Sequence, residues 1–148
     1  MSEPKQVIVM RKDLNMRKGK MVAQGAHASM AAILAIGQYI PATQSHTSEA
    51  RFEIPLTDEG VRRWLVGGAD VPPTGFKKIC VGVDSEQELL DVWKAAQPML
   101  LSGRLPGALI KDNGLTEFNG VPTYTCLALG PSEKLDLFDL LTGHLKLL

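Results

Sequence analysis

One stretch near the start of the chain, Arg11–Ala28 with the sequence RKDLNMRKGKMVAQGAHA, leads from a predicted strand into a predicted helix. The four residues before it, Val7–Met10, are all apolar, which is typical of a strand buried on both faces. The basic part of the stretch therefore follows the carboxyl end of that strand. Because ligands of open α/β sheets bind at the carboxyl ends of strands, we expect a binding site here.

The spacing inside the helix predicts which side chains face this site. Lys20, Gln24 and His27 follow one another at i, i+4 and i+7, so they share one face. A lysine at the positive end of the helix dipole, together with free backbone N–H groups, forms a site for an anion. Gly19 would let a phosphate or a developing oxyanion approach the backbone closely. On this stretch alone, a solvated basic loop with a surface lysine remains an open alternative.

Length and charge limit the class of protein. A chain of 148 residues is long enough for one domain with a core, and we expect a single domain over 1–148. The formal net charge is zero, yet residues 1–20 contain six basic and two acidic side chains. Acidic residues gather between Asp84 and Asp91 instead. This dipolar distribution could still steer a polyanion to one face of the protein.

Other features of the composition argue against membranes and metals. No apolar run approaches the roughly 18 residues needed to cross a bilayer, and the N-terminus lacks the pattern of a signal peptide. We therefore expect a cytoplasmic protein with no membrane association. Cys80 and Cys126 lie among strand-forming residues, which predicts buried reduced thiols. The three histidines form no cluster with them, so no metal site is predicted.

The remaining elements follow from apolar periodicity and from capping and turn residues. Thr57, Ser85 and Ser132 are the predicted helix caps, and Pro41 and Pro98 are expected to end helices. In order, we predict a helix over 20–39, an exposed loop over 42–50 with a surface histidine at position 46, a helix over 57–66, a turn over 72–75, a strand over 77–83, a helix over 85–98, antiparallel strands over 107–111 and 124–129, a helix over 132–143 and a tail along the core over 144–148.

A second group of polar residues lies between the two antiparallel strands. The segment Asp112–Glu117, with the sequence DNGLTE, has the Asx and glycine chemistry of a turn. It also carries a carboxylate at its start and a hydroxyl four residues later. A purely structural hairpin would account for the turn residues, and that alternative stays open on spacing alone.

Several separate motifs together identify a family. They are RKDLNMRKGK at 11–20, Gln24 and His27, DNGLT at 112–116, TCLALGP at 125–131 and TGHLKLL at 142–148. In this order they make the chain similar to the type 2 peptidyl-tRNA hydrolase family over nearly its full length. The resemblance implies an α/β fold, a three-layer α/β/α sandwich on a four-stranded mixed sheet, usually paired as a homodimer. It implies no metal and no other cofactor.

The implied reaction is hydrolysis of the ester that joins a peptide to the terminal ribose at the acceptor end of tRNA. In this chemistry Lys20 suits the donor to the oxyanion, with Asp112 positioning the water and orienting Lys20, and Thr116 completing the network. A carboxylate beside a lysine is a weak base at neutral pH. The imidazole of His27 is better matched as proton acceptor, although a packed structural histidine remains the alternative.

The resemblance and the local charge also indicate how substrate would bind. The candidates for contacts with RNA phosphates are the basic residues of the loop, Arg11, Lys12, Arg17 and Lys18. The other substrate-binding residues implied are Gln24, Gly114 and Thr125. The family usually has alanine and glutamine where this chain has Asn113 and Glu117. These two departures favour one alternative, a catalytically impaired module that binds tRNA or protein. Two others also stay open, a hydrolase of another small ester and a small-molecule regulatory domain, although the last would leave the basic loop unexplained.

Overall fold

Four strands form one mixed sheet at the centre of the molecule, and helices lie on both of its faces. The computed structural model describes residues 3–67 and 76–148. Within these ranges the α-helices and strands, in chain order, are β1 (Lys5–Arg11), α1 (Lys18–Leu34), β2 (Gln38–Ile40), β3 (Arg51–Glu53), α2 (Glu59–Val66), β4 (Lys78–Val83), α3 (Glu86–Leu101), β5 (Gly107–Asp112), β6 (Thr123–Ser132) and α4 (Leu135–Thr142).

The sheet has the strand order β4-β1-β6-β5. β1 runs parallel to β4 and antiparallel to β6, and β5 runs antiparallel to β6. The predicted antiparallel pairing of the last two strands is therefore confirmed. Because β1 and β5 are both antiparallel to β6, they run in the same direction, and the loop after β5 lies at the same edge of the sheet as the carboxyl end of β1.

The apolar run of β1 is buried on both faces, as predicted. Val7 and Val9 join a core cluster with residues of α3 and α4. Ile8 and Met10 point the opposite way and join a second cluster with residues of α1. Since successive strand residues face opposite sides, a continuous apolar run is what a sheet covered by helices on both faces requires. The predicted three-layer sandwich on a four-stranded mixed sheet is confirmed.

The first helix is shorter than predicted. It ends at Leu34 and does not reach Tyr39, which lies in β2 and pairs antiparallel with β3. Gly37 lies between α1 and β2. A Cβ atom at this position would overlap the ring of Phe52 in β3, so a glycine fits the turn that leads into the two-stranded sheet. The loop between β2 and β3 is exposed as predicted, including His46, although it contains a short 3₁₀ turn.

Three other helix boundaries differ from the predictions. Asp58, and not Thr57, caps α2, because its Oδ1 accepts the N–H of Val61 at 3.0 Å. Pro98 lies inside α3, which continues to Leu101 since a proline in the last turn removes only one backbone donor. Ser132 ends β6 and accepts the N–H of a turn residue, and α4 starts three residues later. The turn predicted over 72–75 lies outside the described residues.

The end of the chain covers the outer edge of β4. The N–H of Gly82 donates to the carbonyl of Lys146, and the N–H of Leu148 donates to the carbonyl of Cys80, both at 3.0 Å. The tail was predicted to run along the core, whereas it pairs with the edge of β4, and Leu145 packs against the core while Leu147 and Leu148 are exposed. Cys80 is half-buried and Cys126 is buried, and both are free thiols as predicted. Among the described helices, none combines the length and apolar character needed to span a membrane.

The Ser85 cap is confirmed. Its Oγ accepts the N–H of Glu88 at 3.1 Å at the start of α3. The carboxylate of Glu88 returns a bond to the backbone by accepting the N–H of Asp84 at 2.8 Å. This reciprocal capping fixes the direction in which the chain leaves β4.

Candidate active site

The start of α1 and the loop after β5 meet at the edge of the sheet. The Nζ of Lys20 lies 2.8 Å from Oδ1 of Asp112 and 3.2 Å from Oγ1 of Thr116. Both charged side chains are largely shielded from solvent. The predicted convergence of these three residues is therefore found in the structure, and it brings a cation, an anion and a hydroxyl to one point.

The carboxylate of Asp112 is held by three donors. Besides Lys20, Nε2 of Gln24 donates to Oδ1 at 3.1 Å, and the N–H of Gly114 donates to Oδ2 at 2.9 Å. The hydrogen bond from Lys20 is the main cause that lowers the pKa of Asp112 below its ordinary value, with partial burial opposing it and the Gly114 and Gln24 bonds adding to it. Asp112 is therefore a charged acceptor at neutral pH and not a proton acceptor of useful strength.

A buried hydroxyl sets the orientation of Gln24. The Oγ1 of Thr125, on β6, donates to Oε1 of Gln24 at 2.5 Å, and both residues are buried. With its oxygen occupied in this way, the amide can only present its NH₂ group to Asp112. Gln24 and Thr125 were implied to bind substrate, and in the structure both are buried, with Thr125 orienting Gln24 and Gln24 donating to Asp112.

Gly114 is required by the backbone of the loop. Its φ of +78° lies in the left-handed region, and a Cβ atom would overlap the carbonyl oxygen of Val121. The tight turn places its N–H against Asp112. The glycine therefore supports the site through its backbone conformation.

The N-terminus of α1 is open. Arg17 precedes the helix without a side-chain cap, and the first turn has no acidic residue. The first amides of a helix have no acceptor within it, so the N–H groups of Lys18, Gly19 and Lys20 are available to a ligand. A Cβ at Gly19 would meet open space. The arrangement favours an anion beside Lys20.

The four basic residues of the loop have different environments. Arg11 is buried: Nε and one terminal nitrogen donate to Asp13 at 3.1 and 2.6 Å, and the other donates to the carbonyl of Tyr124 at 2.9 Å. The prediction that Arg11 contacts RNA phosphates is therefore not supported, since its guanidinium ties the loop to β6. The neighbouring Arg11-x-Asp13 spacing was a signal for this pair. The same bond from Arg11 lowers the pKa of Asp13.

The other three basic residues are exposed. Lys12 pairs with Asp84 at 3.2 Å, and Arg17 pairs with Glu117 at 2.9 Å. The side chain of Lys18 has no partner within residues 3–67 and 76–148. Arg17 and Lys18 adjoin the open N-terminus of α1, and Lys12 lies against Asp84, just past the end of β4.

His27 lies further along the same helical face and is exposed. Its ring makes no hydrogen bond to the described part of the chain, so the structure does not bring it into the network around Asp112. Sequence reasoning missed Phe118, whose ring centroid lies 5.8 Å from Nζ of Lys20. Its position directly after the threonine and glutamate was the available signal.

The group around Lys20 is separate from a cleft near the C-terminus. This cleft of about 550 Å³ lies between α3, α4 and the C-terminal tail, and its lining includes Lys12, Asp84 and His144 but none of Lys20, Gln24 or Asp112.

Comparison with known proteins agrees with this geometry. The model of the family described as peptidyl-tRNA hydrolase PTH2 matches residues 4–148. A peptidyl-tRNA hydrolase of Methanocaldococcus jannaschii is 40% identical over 144 residues, covering 97% of this chain and 99% of that protein. Proteins of the same name from Thermococcus onnurineus and Methanothermobacter thermautotrophicus are 37% and 35% identical, each over 97% of this chain and at least 96% of the relative. The chain therefore belongs to the peptidyl-tRNA hydrolase PTH2 family.

Proposed function

We propose that this chain hydrolyses the ester bond between peptide and tRNA in peptidyl-tRNA and releases both. The observation that carries the proposal is the ammonium of Lys20, held between Asp112 and Thr116 beside the open N-terminus of α1. The membership of the chain in the PTH2 family supports the same activity.

Lys20 is the proposed donor to the oxyanion. Its ammonium has three N–H groups, and two of them donate to Asp112 and Thr116. The third is free for the ester carbonyl oxygen, which gains negative charge when water attacks the carbonyl carbon. A donor held in this way contributes about 2.7–4 kcal/mol to lowering the barrier. The backbone N–H groups at the start of α1 add positive potential on the same side.

Asp112 and Thr116 are proposed to hold the attacking water. Oδ2 of Asp112 accepts one bond, from Gly114, so it can accept a second from water. Thr116 accepts from Lys20, so its own hydroxyl proton is free to donate. As the water oxygen bonds to the carbonyl carbon, its proton must leave and the ribose oxygen must gain one. We propose that the proton passes through a second water to the exposed ring of His27, which lies on the same face of α1 as Lys20 but outside the network around Asp112, and that the ring then returns it to the ribose oxygen.

Contacts with RNA are assigned to Lys12, Arg17 and Lys18. Their side chains are exposed on the loop that leads into α1 and at its first turn, and they would bind the phosphates nearest the acceptor end. Arg11 is left out of this set because its donors are used within the loop.

No observation favours the catalytically impaired module. Asn113 is exposed, and the carboxylate of Glu117 is paired with Arg17, so neither departure disturbs the contacts of Lys20. The groups that the chemistry needs remain in place.

The assembly and the cellular setting belong to the same proposal. We propose one domain over residues 1–148 that pairs as a homodimer and acts in the cytoplasm, where its substrate is made. The outer face of α1 supports pairing, since Val22, Met30 and Leu34 are 72%, 60% and 46% exposed. Sedimentation of the purified protein tests it: a single species at the monomer mass would contradict the homodimer.

The activity is tested by incubating the purified chain with tRNA that carries an N-blocked aminoacyl group. We expect free blocked amino acid and intact tRNA, with the same rate in the presence of a chelator. A shift in the mobility of the tRNA without release of the acyl group would instead identify a binding module. Equal turnover of the blocked acyl group on a free nucleoside would identify a hydrolase of small esters.

A further inference from the structure

Besides the pair of Lys20 and Asp112, a second ion pair joins the start of α1 to the loop after β5. Nε of Arg17, the residue before α1, donates to Oε1 of Glu117 at 2.9 Å. On the chain, Glu117 lies between Thr116, which accepts a bond from Lys20, and Phe118, whose ring lies close to the same ammonium. The pair therefore lies directly beside the group proposed to bind the ester.

The two partners differ in exposure. The side chain of Glu117 is 16% exposed, whereas that of Arg17 is 79% exposed. The carboxylate is therefore shielded, and the guanidinium faces solvent. An incoming polyanion would meet the arginine before the glutamate.

Only one of the guanidinium nitrogens is used. Arg17 bonds to Glu117 through Nε, and its two terminal nitrogens make no bond to residues 3–67 or 76–148. A guanidinium anchored at Nε still presents a planar pair of donors, which matches two oxygens of a phosphate. The same anchor limits the rotamers of a long flexible side chain before substrate arrives.

We propose that Glu117 is a positioning residue that holds Arg17 so that its terminal nitrogens bind the phosphodiester nearest the scissile ester. The inference rests on the proposed function and names how that site grips its RNA. Lys20 is the proposed contact of the ester, and Glu117 follows Thr116, which accepts a bond from Lys20. Arg17 is held by Glu117, so the phosphate within its reach is the one next to the terminal ribose.

Charge alone predicts the opposite effect. A carboxylate near RNA repels phosphate, so removing Glu117 would strengthen binding if repulsion dominated. If Glu117 positions Arg17, its removal weakens binding even though a negative charge is lost. The sign of the change in KM therefore separates the two effects.

The experiment is steady-state hydrolysis of peptidyl-tRNA by the full chain. We expect Glu117→Ala to raise KM by about two- to fivefold, the scale of an exposed ion pair, with a smaller effect on kcat. Glu117→Gln keeps an oxygen that can accept from Nε, so its KM should return toward the wild-type value. Arg17→Ala combined with Glu117→Ala should be no worse than Arg17→Ala alone, because the glutamate acts through the arginine.

Two further variants keep the test sharp. Arg17→Lys keeps the charge but has no Nε donor, so it should raise KM as Glu117→Ala does without altering the loop. Glu49→Ala removes a negative charge from the exposed loop between β2 and β3 and should leave KM unchanged.

The outcomes are distinct. If the wild-type chain turns over its substrate and Glu117→Ala has a KM equal to or below the wild-type value, the positioning role is wrong and the proposed function stands. A double variant clearly worse than Arg17→Ala would also overturn the role. A wild-type chain without turnover would overturn the proposed function and this inference together.

Discussion

The Nζ of Lys20 lies 2.8 Å from Oδ1 of Asp112, and the two side chains are equally shielded, with 15% and 14% of their surfaces exposed. They are 92 residues apart in sequence. In such partial shielding, attraction between opposite charges is stronger than in water. The carboxylate therefore fixes the ammonium in place, and the ammonium keeps the carboxylate ionised.

Replacing the ammonium should remove most of the activity. We expect Lys20→Ala to lower kcat/KM by about a hundredfold or more, the usual scale for losing an oxyanion donor. Lys94→Ala, on the exposed face of α3, is the matched control and should have no effect. Both are measured by release of peptide from peptidyl-tRNA. Wild-type turnover by Lys20→Ala would exclude Lys20 as the donor.

Asp112 should stabilise the fold at neutral pH and lose that contribution in acid. Because Lys20 lowers its pKa, Asp112 contributes stability that is present above its ordinary value of 3.8 and is lost as pH falls through the lower folded value. The stability difference between wild type and Lys20→Met should therefore shrink as pH falls below about 4. Urea unfolding at pH 7 and pH 3 measures it. If wild type and Lys20→Met differed in unfolding free energy by the same amount at pH 7 and pH 3, the contact of Lys20 with Asp112 would not depend on the protonation of Asp112.

The pH profile of turnover tests His27. Since Asp112 stays charged above pH 3.8, a loss of activity between pH 5 and 8 must come from another group. If His27 accepts the proton, His27→Ala should flatten that acid limb and lower kcat. An unchanged limb in the variant would assign the role to a different residue.

The buried hydrogen bond from Thr125 to Gln24, which orients Gln24 toward Asp112, can be removed without replacing a charged residue. Thr125→Val leaves Oε1 of Gln24 without its donor in a buried position, which should cost about 1–3 kcal/mol of unfolding free energy. The amide of Gln24 is then free to turn, and we expect kcat to fall by roughly tenfold or more because Asp112 is less well placed. Thr123→Val on the same strand, whose hydroxyl is exposed, is the control. If Thr123→Val lowered stability and kcat as much as Thr125→Val, the effect could not be attributed to the hydrogen bond between Thr125 and Gln24.

Replacing Arg11 should change the stability of the fold, whereas replacing Lys18 should change the salt dependence of tRNA binding. Arg11→Met removes three buried or half-buried bonds and should destabilise the fold by about 2–3 kcal/mol. Lys18→Ala should leave stability unchanged and reduce the log–log slope of tRNA binding against salt by about 0.7–0.9. A normal slope for Lys18→Ala would remove it from the set of phosphate contacts.

Two glycines of the site should give opposite results when replaced by alanine. Gly114→Ala forces a side chain into the left-handed region against Val121 and should cost more than about 2 kcal/mol, with loss of activity. Gly19→Ala adds a methyl group in open space within a helix and should raise stability by up to about 1 kcal/mol. Thermal unfolding of the two variants makes the comparison. Equal destabilisation would show that the φ of Gly114 is not the cause.

The burial of β1 on both faces and the pairing of Lys20 with Asp112 were accessible from the sequence, whereas the strand order was not predicted. Val7–Met10 is apolar at every position, and only a strand covered on both faces explains such a run. The long-range meeting of Lys20 and Asp112 came from several motifs recognised together. Spacing alone left two alternatives, a surface lysine and a structural hairpin. The 2.8 Å distance between Nζ of Lys20 and Oδ1 of Asp112 shows that the lysine and the hairpin also contact each other, which neither alternative includes.

The failures have specific causes. The helix was predicted to continue to Tyr39 because the apolar pattern does not change there, whereas the strand partner that ends it, β3, lies beyond an exposed loop. Arg11 was grouped with its basic neighbours because sequence does not show which of several cations is turned inward. The pair between Arg17 and Glu117 could not be predicted, since it depends on the tertiary approach of two loops.

The strand order has a consequence for synthesis of the protein. In the described part of the chain, β5 pairs with β6 alone, so Asp112 at its end gains a paired strand only after residues 123–132 have been made. Lys20 is made early, but its contact with Asp112 depends on this late strand pairing. The geometry around Lys20 can therefore form only after nearly the whole chain has been made.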